Sequence, residues 1–166
     1  DYLDKGAQLG ADAPCLTMGD ADLSYGEVQR ISHRVGRALQ ANGIAPGDKV
    51  AVLSSNDATA FACVFGISRA GGVGCPINPR NEAAENRYVL DAFDCACLIF
   101  HSNYAPMVEQ MRAGLPKVRQ WVCLDQPQPF APSLAQWLEG VHDAPLHVAP
   151  VDDLAMIAGT GGTTGQ

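Results

Sequence analysis

The residues best suited to chemistry stand at the end of the chain, in AGTGGTTGQ, Ala158 to Gln166. Gly161, Gly162 and Gly165 let backbone N–H groups approach an anion with no side chain in the way, and Thr160, Thr163 and Thr164 add hydroxyl oxygens at the same place. Neutral donors at close range suit a polyphosphate that brings its own cation. The spacing is not that of a Walker A loop, and it fails GxGxxG because the third position counted from Gly159 and Gly161 is Thr164. On composition alone a glycine-rich linker fits the stretch equally well.

Something must hold such a loop. With 166 residues, 47% of them hydrophobic and 17% charged, the chain can bury a core and is expected to form one soluble unit. No apolar run approaches the roughly 20 residues of a membrane span, and DYLDKGAQ lacks the order of a signal peptide, so a cytoplasmic protein is expected. The net charge of -7 argues against nucleic acid, whose phosphates call for clustered Lys and Arg. Cys15, Cys63, Cys75, Cys95, Cys97 and Cys123 form no CxxC pair and mostly sit in apolar runs, which favours buried thiols over metal ligands.

Helices and strands alternate. Ser24 and Glu27 have capping-box spacing ahead of Val28, Ile31, Val35, Ala38 and Leu39 on one helical face, and Asn42-Gly43 supplies the stop. Arg30, Arg34 and Arg37 on the opposite face read as solvated. KVAVLS, GVGCPI, CLIFH, QWVCL and DDLAMIA read as strands, with helices in DATAFACVFGISRAG, capped by Asp57 and buried nearly all round, in NEAAENRYVLDAFD and in NYAPMVEQMRAG. Short connections between alternating elements imply an α/β fold, a doubly wound, mainly parallel sheet with helices on both faces. Residues 125–150, with Pro127, Pro129, Pro132, Pro145 and Pro150 around SLAQWLEG, read as an irregular surface connection within a single unit spanning 1–166.

Ligands of open α/β sheets bind beyond the carboxyl ends of strands, so a loop leaving DDLAMIA is well placed for phosphate. His101, Ser102 and Asn103 also follow a strand's carboxyl end but show no pattern of a site. His33, His142 and His147 have no visible partners and read as surface histidines.

Thr160 to Gly165, TGGTTG, resembles the phosphate-binding signature of the adenylate-forming superfamily of acyl-CoA synthetases, peptide-synthetase adenylation domains and luciferases. LSYGEV, Leu23 to Val28, is similar to that family's Leu-Thr-Tyr-x-Glu-Leu segment, and SRAGGVGCPINP, Ser68 to Pro79, to its Lys-Ala-Gly-x-x-x-x-Pro-x-Asx-Pro segment, with Arg69 in place of the usual Lys. The two upstream motifs read as structural, a helix cap and a helix end closing onto a strand. The resemblance implies the N-terminal part of an enzyme in which a carboxylate attacks the α-phosphorus of ATP, and a thiol such as that of coenzyme A then displaces AMP. Thr160, Gly161, Gly162, Thr163, Thr164 and Gly165 would bind the nucleotide, with Thr160 touching Mg²⁺, and no catalytic residue would lie in this chain. PINPR and TGGTTG lean toward an acyl- or aryl-CoA ligase acting on a fatty or aromatic acid. The alternatives are an adenylation domain that loads a carrier-protein thiol, and a noncatalytic relative serving as a nucleotide-binding or interaction module. The sequence is expected to be a piece of a longer protein, inactive by itself, and a homodimer is compatible with the resemblance.

Overall fold

The structure is a computed structural model and describes residues 2–19, 21–146 and 154–159. Its centre is a sheet of β3 (Lys49–Leu53), β4 (Val73–Ile77), β5 (Cys95–Phe100) and β6 (Gln120–Cys123) in the order β4-β3-β5-β6. Every pairing in it is parallel. Parallel neighbours need a crossover, and the intervening helices supply it: α3 (Ala58–Arg69), α4 (Ala83–Ala92) and α5 (Ala105–Arg112).

Both faces are covered, as the continuous apolar strands require. On one face Val50, Cys97, Ile99 and Val122 pack with Val35 and Leu39 of α2 (Tyr25–Ala41) and with Cys63 and Ile67 of α3. On the other, Ala51, Leu53, Leu98 and Phe100 pack with Leu90 of α4 and with Val108 and Met111 of α5. Cys95 and Cys97 are two apart yet lie in opposite layers, because a bulge where Lys49 pairs Cys95 and Val50 pairs Cys97 inserts one residue into β5. Five of the six thiols are buried, Cys15 being the partial exception, and burial pushes those of Cys63 and Cys97 up to about 12. A thiol so disfavoured as thiolate behaves as a small hydrophobe.

The caps read from the sequence are present. Glu27 N–H donates to Ser24 Oγ at 3.2 Å and Ser24 N–H to Glu27 Oε2 at 2.8 Å, while Ala60 N–H donates to Asp57 Oδ1 at 2.7 Å. The stops after α2 and α3 use glycine in the left-handed region, Gly43 at φ +78° and Gly71 at +79°. α2 and α3 approach closely because Gly66 has no side chain: a Cβ there would lie 2.5 Å from Val35 Cβ. α3 is less enclosed than its composition suggests, since Phe61 remains 52% exposed and stacks edge-on with Phe65.

Two elements lie outside the expected alternation. Helix α1 (Tyr2–Gly10) and an antiparallel hairpin of β1 (Pro14–Met18) and β2 (Ala21–Ser24) precede α2 and form a satellite cluster around Leu3, Val28 and Ala62. Among its described residues the proline-rich stretch contains only the one-turn helix α6 (Leu134–Trp137), capped by Ser133, but it does not merely run over the surface: Ala131, Leu134 and Leu138 are buried.

Two side-chain readings need correction. Arg34 and Arg37 do not form a solvated face. Arg34 donates to the carbonyls of Val141, at 3.0 Å, and Leu138, at 2.5 Å, and Arg37 to those of Ala144, at 3.1 Å, and Pro145, at 3.0 Å. His33 is not a surface histidine but is buried at 6% exposure, its Nδ1 accepting from Leu146 N–H at 3.0 Å. A segment without ladder partners has to satisfy its polar backbone elsewhere, and one face of α2 does this for residues 138–146.

Candidate nucleotide-binding site

The six residues expected to hold phosphate, Thr160 to Gly165, lie outside the described residues, as do Asp152 and Asp153 of the expected last strand. The described approach to them is Leu154–Gly159. This segment returns to the outer edge of β4 and makes a single parallel bridge between Met156 and Gly74. Gly74 N–H donates to Ala155 O at 3.0 Å, and Ile157 N–H donates to Gly74 O at 2.9 Å. The expected strand is thus present as one rung. Its parallel sense is the consequential part, because the chain then travels with the sheet and leaves at its carboxyl end, directly before Thr160. Ile157 packs against the layer containing Leu53 and Phe100, while Leu154 and Met156 face outward at 58% and 48% exposure.

The same end of the sheet carries polar groups after each strand. Beyond β3, the Ser54 hydroxyl is buried without a hydrogen-bond partner among the described residues. Beyond β4, Asn78 Oδ1 accepts from Arg80 N–H at 3.0 Å, and Asn86 Nδ2 donates to Asn78 O at 3.1 Å, which stitches the start of α4 to the strand end. After β5 and β6, Asp125 accepts from the Ser102 amide at 3.0 Å and from its hydroxyl at 2.5 Å, across a short 3₁₀ turn at Ser102–Tyr104. Burial raises the Asp125 pKa, but the two Ser102 donors outweigh it and hold the carboxyl down at about 2.

His101 stands beside this pair, Nε2 3.8 Å from Asp125 Oδ2 and Nδ1 accepting from Asn103 N–H at 3.2 Å. Ser102 Oγ points at the carboxylate and not at the imidazole, so no nucleophile is activated. His101, Ser102 and Asn103 cap a turn and tie two strand ends together. His142 is exposed, and His147 lies outside the described residues.

Among the described residues no group of three or more His, Cys, Asp or Glu could hold a metal ion. No helix among the described residues is long and apolar enough to cross a membrane.

Arg69, which the family resemblance marks only as a replacement for Lys, is 8% exposed. It donates through Nε to Ser32 Oγ at 2.7 Å and pairs with Asp4 Oδ1 at 2.5 Å, joining α1, α2 and α3. No signal within the motif could have revealed this, because Asp4 is 65 positions away.

Against known proteins, the family model described as AMP-binding enzyme matches residues 3–166. A 3-hydroxybenzoate–CoA ligase of Aromatoleum sp. (strain CIB) is 29% identical over 162 residues, covering 96% of this chain and 31% of the relative. A long-chain-fatty-acid–CoA ligase of Mycobacterium tuberculosis is 32% identical over 152 residues, covering 89% and 29%. A fatty acid–acyl-carrier-protein ligase of Streptomyces coeruleorubidus is 32% identical over 162 residues, covering 96% and 30%. The chain therefore spans about a third of the length of these relatives. Among solved structures, the N-terminal domain of FACL13 from Mycobacterium tuberculosis superposes with a TM-score of 0.86 at 27% identity, over 98% of this chain and 41% of that one. An anthranilate CoA ligase solved with anthranoyl-AMP gives a TM-score of 0.93 over 99% of this chain and 32% of that one; at 24% identity it speaks for the fold alone.

Proposed function

Because the chain belongs to the AMP-binding enzyme family over residues 3–166, we propose that it is the N-terminal part of an ATP-dependent carboxylic acid:CoA ligase acting on an aromatic or fatty acid. The observation that carries this reading is the parallel rung at Gly74 and Met156, which aims the chain out of the carboxyl end of the sheet immediately before TGGTTG. Relatives named as ligases of 3-hydroxybenzoate and of long-chain fatty acids support the acid class.

In the proposed reaction an acid carboxylate attacks the α-phosphorus of ATP, pyrophosphate leaves, and the thiol of coenzyme A displaces AMP from the acyl adenylate. The contribution of this chain is to the first step. Backbone N–H groups at Gly161, Gly162 and Gly165 and hydroxyls at Thr160, Thr163 and Thr164 would hold the β and γ phosphates, so that charge on the departing pyrophosphate meets donors already in place. The Thr160 hydroxyl would help hold Mg²⁺, which would supply further neutralisation of that charge. A carrier-protein thiol is a second acceptor to test, since one relative is named for that acceptor.

The test is ATP–pyrophosphate exchange by the full-length protein with benzoate, 3-hydroxybenzoate, anthranilate and long-chain fatty acids, followed by thioester formation with coenzyme A or acyl-carrier protein. Acid-dependent exchange is expected, and residues 1–166 alone should give none. Gly162→Val should depress exchange far more than it lowers the melting temperature. Thr163→Ala, losing one hydroxyl on a charged phosphate, should cost about 1.5 to 3 kcal/mol, or one to two orders of magnitude. Exchange with no acid in the panel, or unchanged kinetics in Gly162→Val, would remove the phosphate-loop reading and favour a noncatalytic module.

A further inference from the structure

Pairing at the outer edge of β4 stops after one rung, and the cause is visible in β4 itself. In a parallel ladder the N–H groups of successive residues point to opposite neighbours. Val73 N–H points to the β3 side, donating to Asp48 O at 2.8 Å, whereas Gly74 N–H points outward to Ala155 O at 3.0 Å. Position 76 therefore faces outward as position 74 does. The next rung would be a bond from its N–H to the carbonyl of Ile157, completed by Gly159 N–H donating back to the carbonyl of 76.

Pro76 has no N–H, and its ring Cδ stands where the hydrogen would be. The outer ladder ends at Ile157, and Ala158 and Gly159 run on outside any strand. The inner ladder does not notice: Pro76 sits opposite Val52 in a register unbroken from Lys49↔Val73 to Leu53↔Ile77, since the inward bonds come from its odd-numbered neighbours. Pro76 is the one exposed position of β4, as an edge proline should be.

We propose that Pro76 is a positioning residue for the nucleotide loop: by deleting the rung at Ile157, it makes the chain leave the edge of β4 at Ala158 and Gly159, before the loop begins. The proposal rests on the phosphate-loop reading given above. A strand turns successive N–H groups to opposite sides, whereas an anion cradle needs neighbouring N–H groups to converge, so the two are exclusive states of one backbone. Threonine is a strand former, which makes a barrier to pairing at this point useful.

The experiment restores the missing donor with Pro76→Val and Pro76→Ala in the full-length protein. Either substitution supplies the N–H at an exposed edge, and the alanine variant carries the test should valine disturb folding. The amide at 76 is expected to be protected from hydrogen exchange. The KM for ATP is expected to rise about tenfold, the weight of two added ladder bonds against the binding-competent loop. Meanwhile kcat at saturating ATP and the KM for the acid should hold, a split that general destabilisation would not produce. An amide at 76 that exchanges freely in both variants overturns the proposal, and so does a protected amide with an unchanged KM for ATP. Wild-type protein that takes no ATP by calorimetric titration sinks the phosphate-loop reading and the positioning role with it. The exchange measurement would even then decide whether Pro76 ends the ladder.

Discussion

Arg69 offers the sharpest test of how this part of the molecule is held together. Its guanidinium, 8% exposed, pairs with Asp4 at 2.5 Å and donates to Ser32 Oγ at 2.7 Å, and Gln29 Nε2 donates to the same carboxylate at 2.8 Å. Arg69→Ala leaves that carboxylate without its cation. Breaking a buried pair costs about 3–5 kcal/mol, but the Asp4 side chain keeps 31% of its surface and can be rehydrated, so about 2–3 kcal/mol is expected. Arg69→Lys keeps the charge but not the fork, and should cost about 1 kcal/mol. The loss should appear as local opening of α1, which native-state hydrogen exchange of the Tyr2–Gly10 amides reads directly. Acceleration of roughly 30- to 150-fold is expected for the alanine variant.

The pH dependence has a definite sign. Burial pushes the Asp4 pKa up, but the bonds from Arg69 and Gln29 outweigh it and hold it below 3.8. A carboxylate depressed in the folded state stabilises above its unfolded pKa, and that contribution disappears as pH falls through the folded value. The gap in α1 protection between wild type and Arg69→Ala should therefore be constant above about pH 5 and close below 3.8. Acceleration under about threefold at pH 6, or a gap that widens on acidification, would refute the account.

Arg34→Ala should free the carbonyls of Leu138 and Val141 at a cost of about 1–3 kcal/mol, seen as faster exchange across 138–146 with α4 and α5 amides unchanged. Gly66→Val would place a Cβ 2.5 Å from Val35 Cβ and force α2 and α3 apart, lowering stability by about 1–3 kcal/mol or more in thermal unfolding.

Much of this molecule was legible in the chain itself, where the signals were local. The Ser24 and Glu27 box and the Asp57 cap act within one helical turn, and the stop at Gly43 follows directly after the helix it ends. Continuous apolar runs such as CACLIF announce a strand covered on both faces because no alternation is needed where neither face meets water. DDLAMIA announced a return to the sheet, and its described part, Leu154–Ile157, does return to the edge of β4 in the expected parallel sense.

Tertiary structure alone decided the rest, and the reason is distance along the chain. Arg34 and His33 read as surface residues because their partners, Leu138 and Leu146, lie 104 and 113 positions away. Arg69 looked like a tolerated replacement because α1 and Asp4 give no periodic signal that would place them beside α3. The strand order β4-β3-β5-β6 and the seat of Leu154–Ile157 at its edge depend on which apolar faces fit together, which no window of sequence contains. Pro76 shows the two levels meeting. Its missing N–H is written in the sequence, but only the fold turns that side of the residue toward Ile157, where a hydrogen bond would otherwise form.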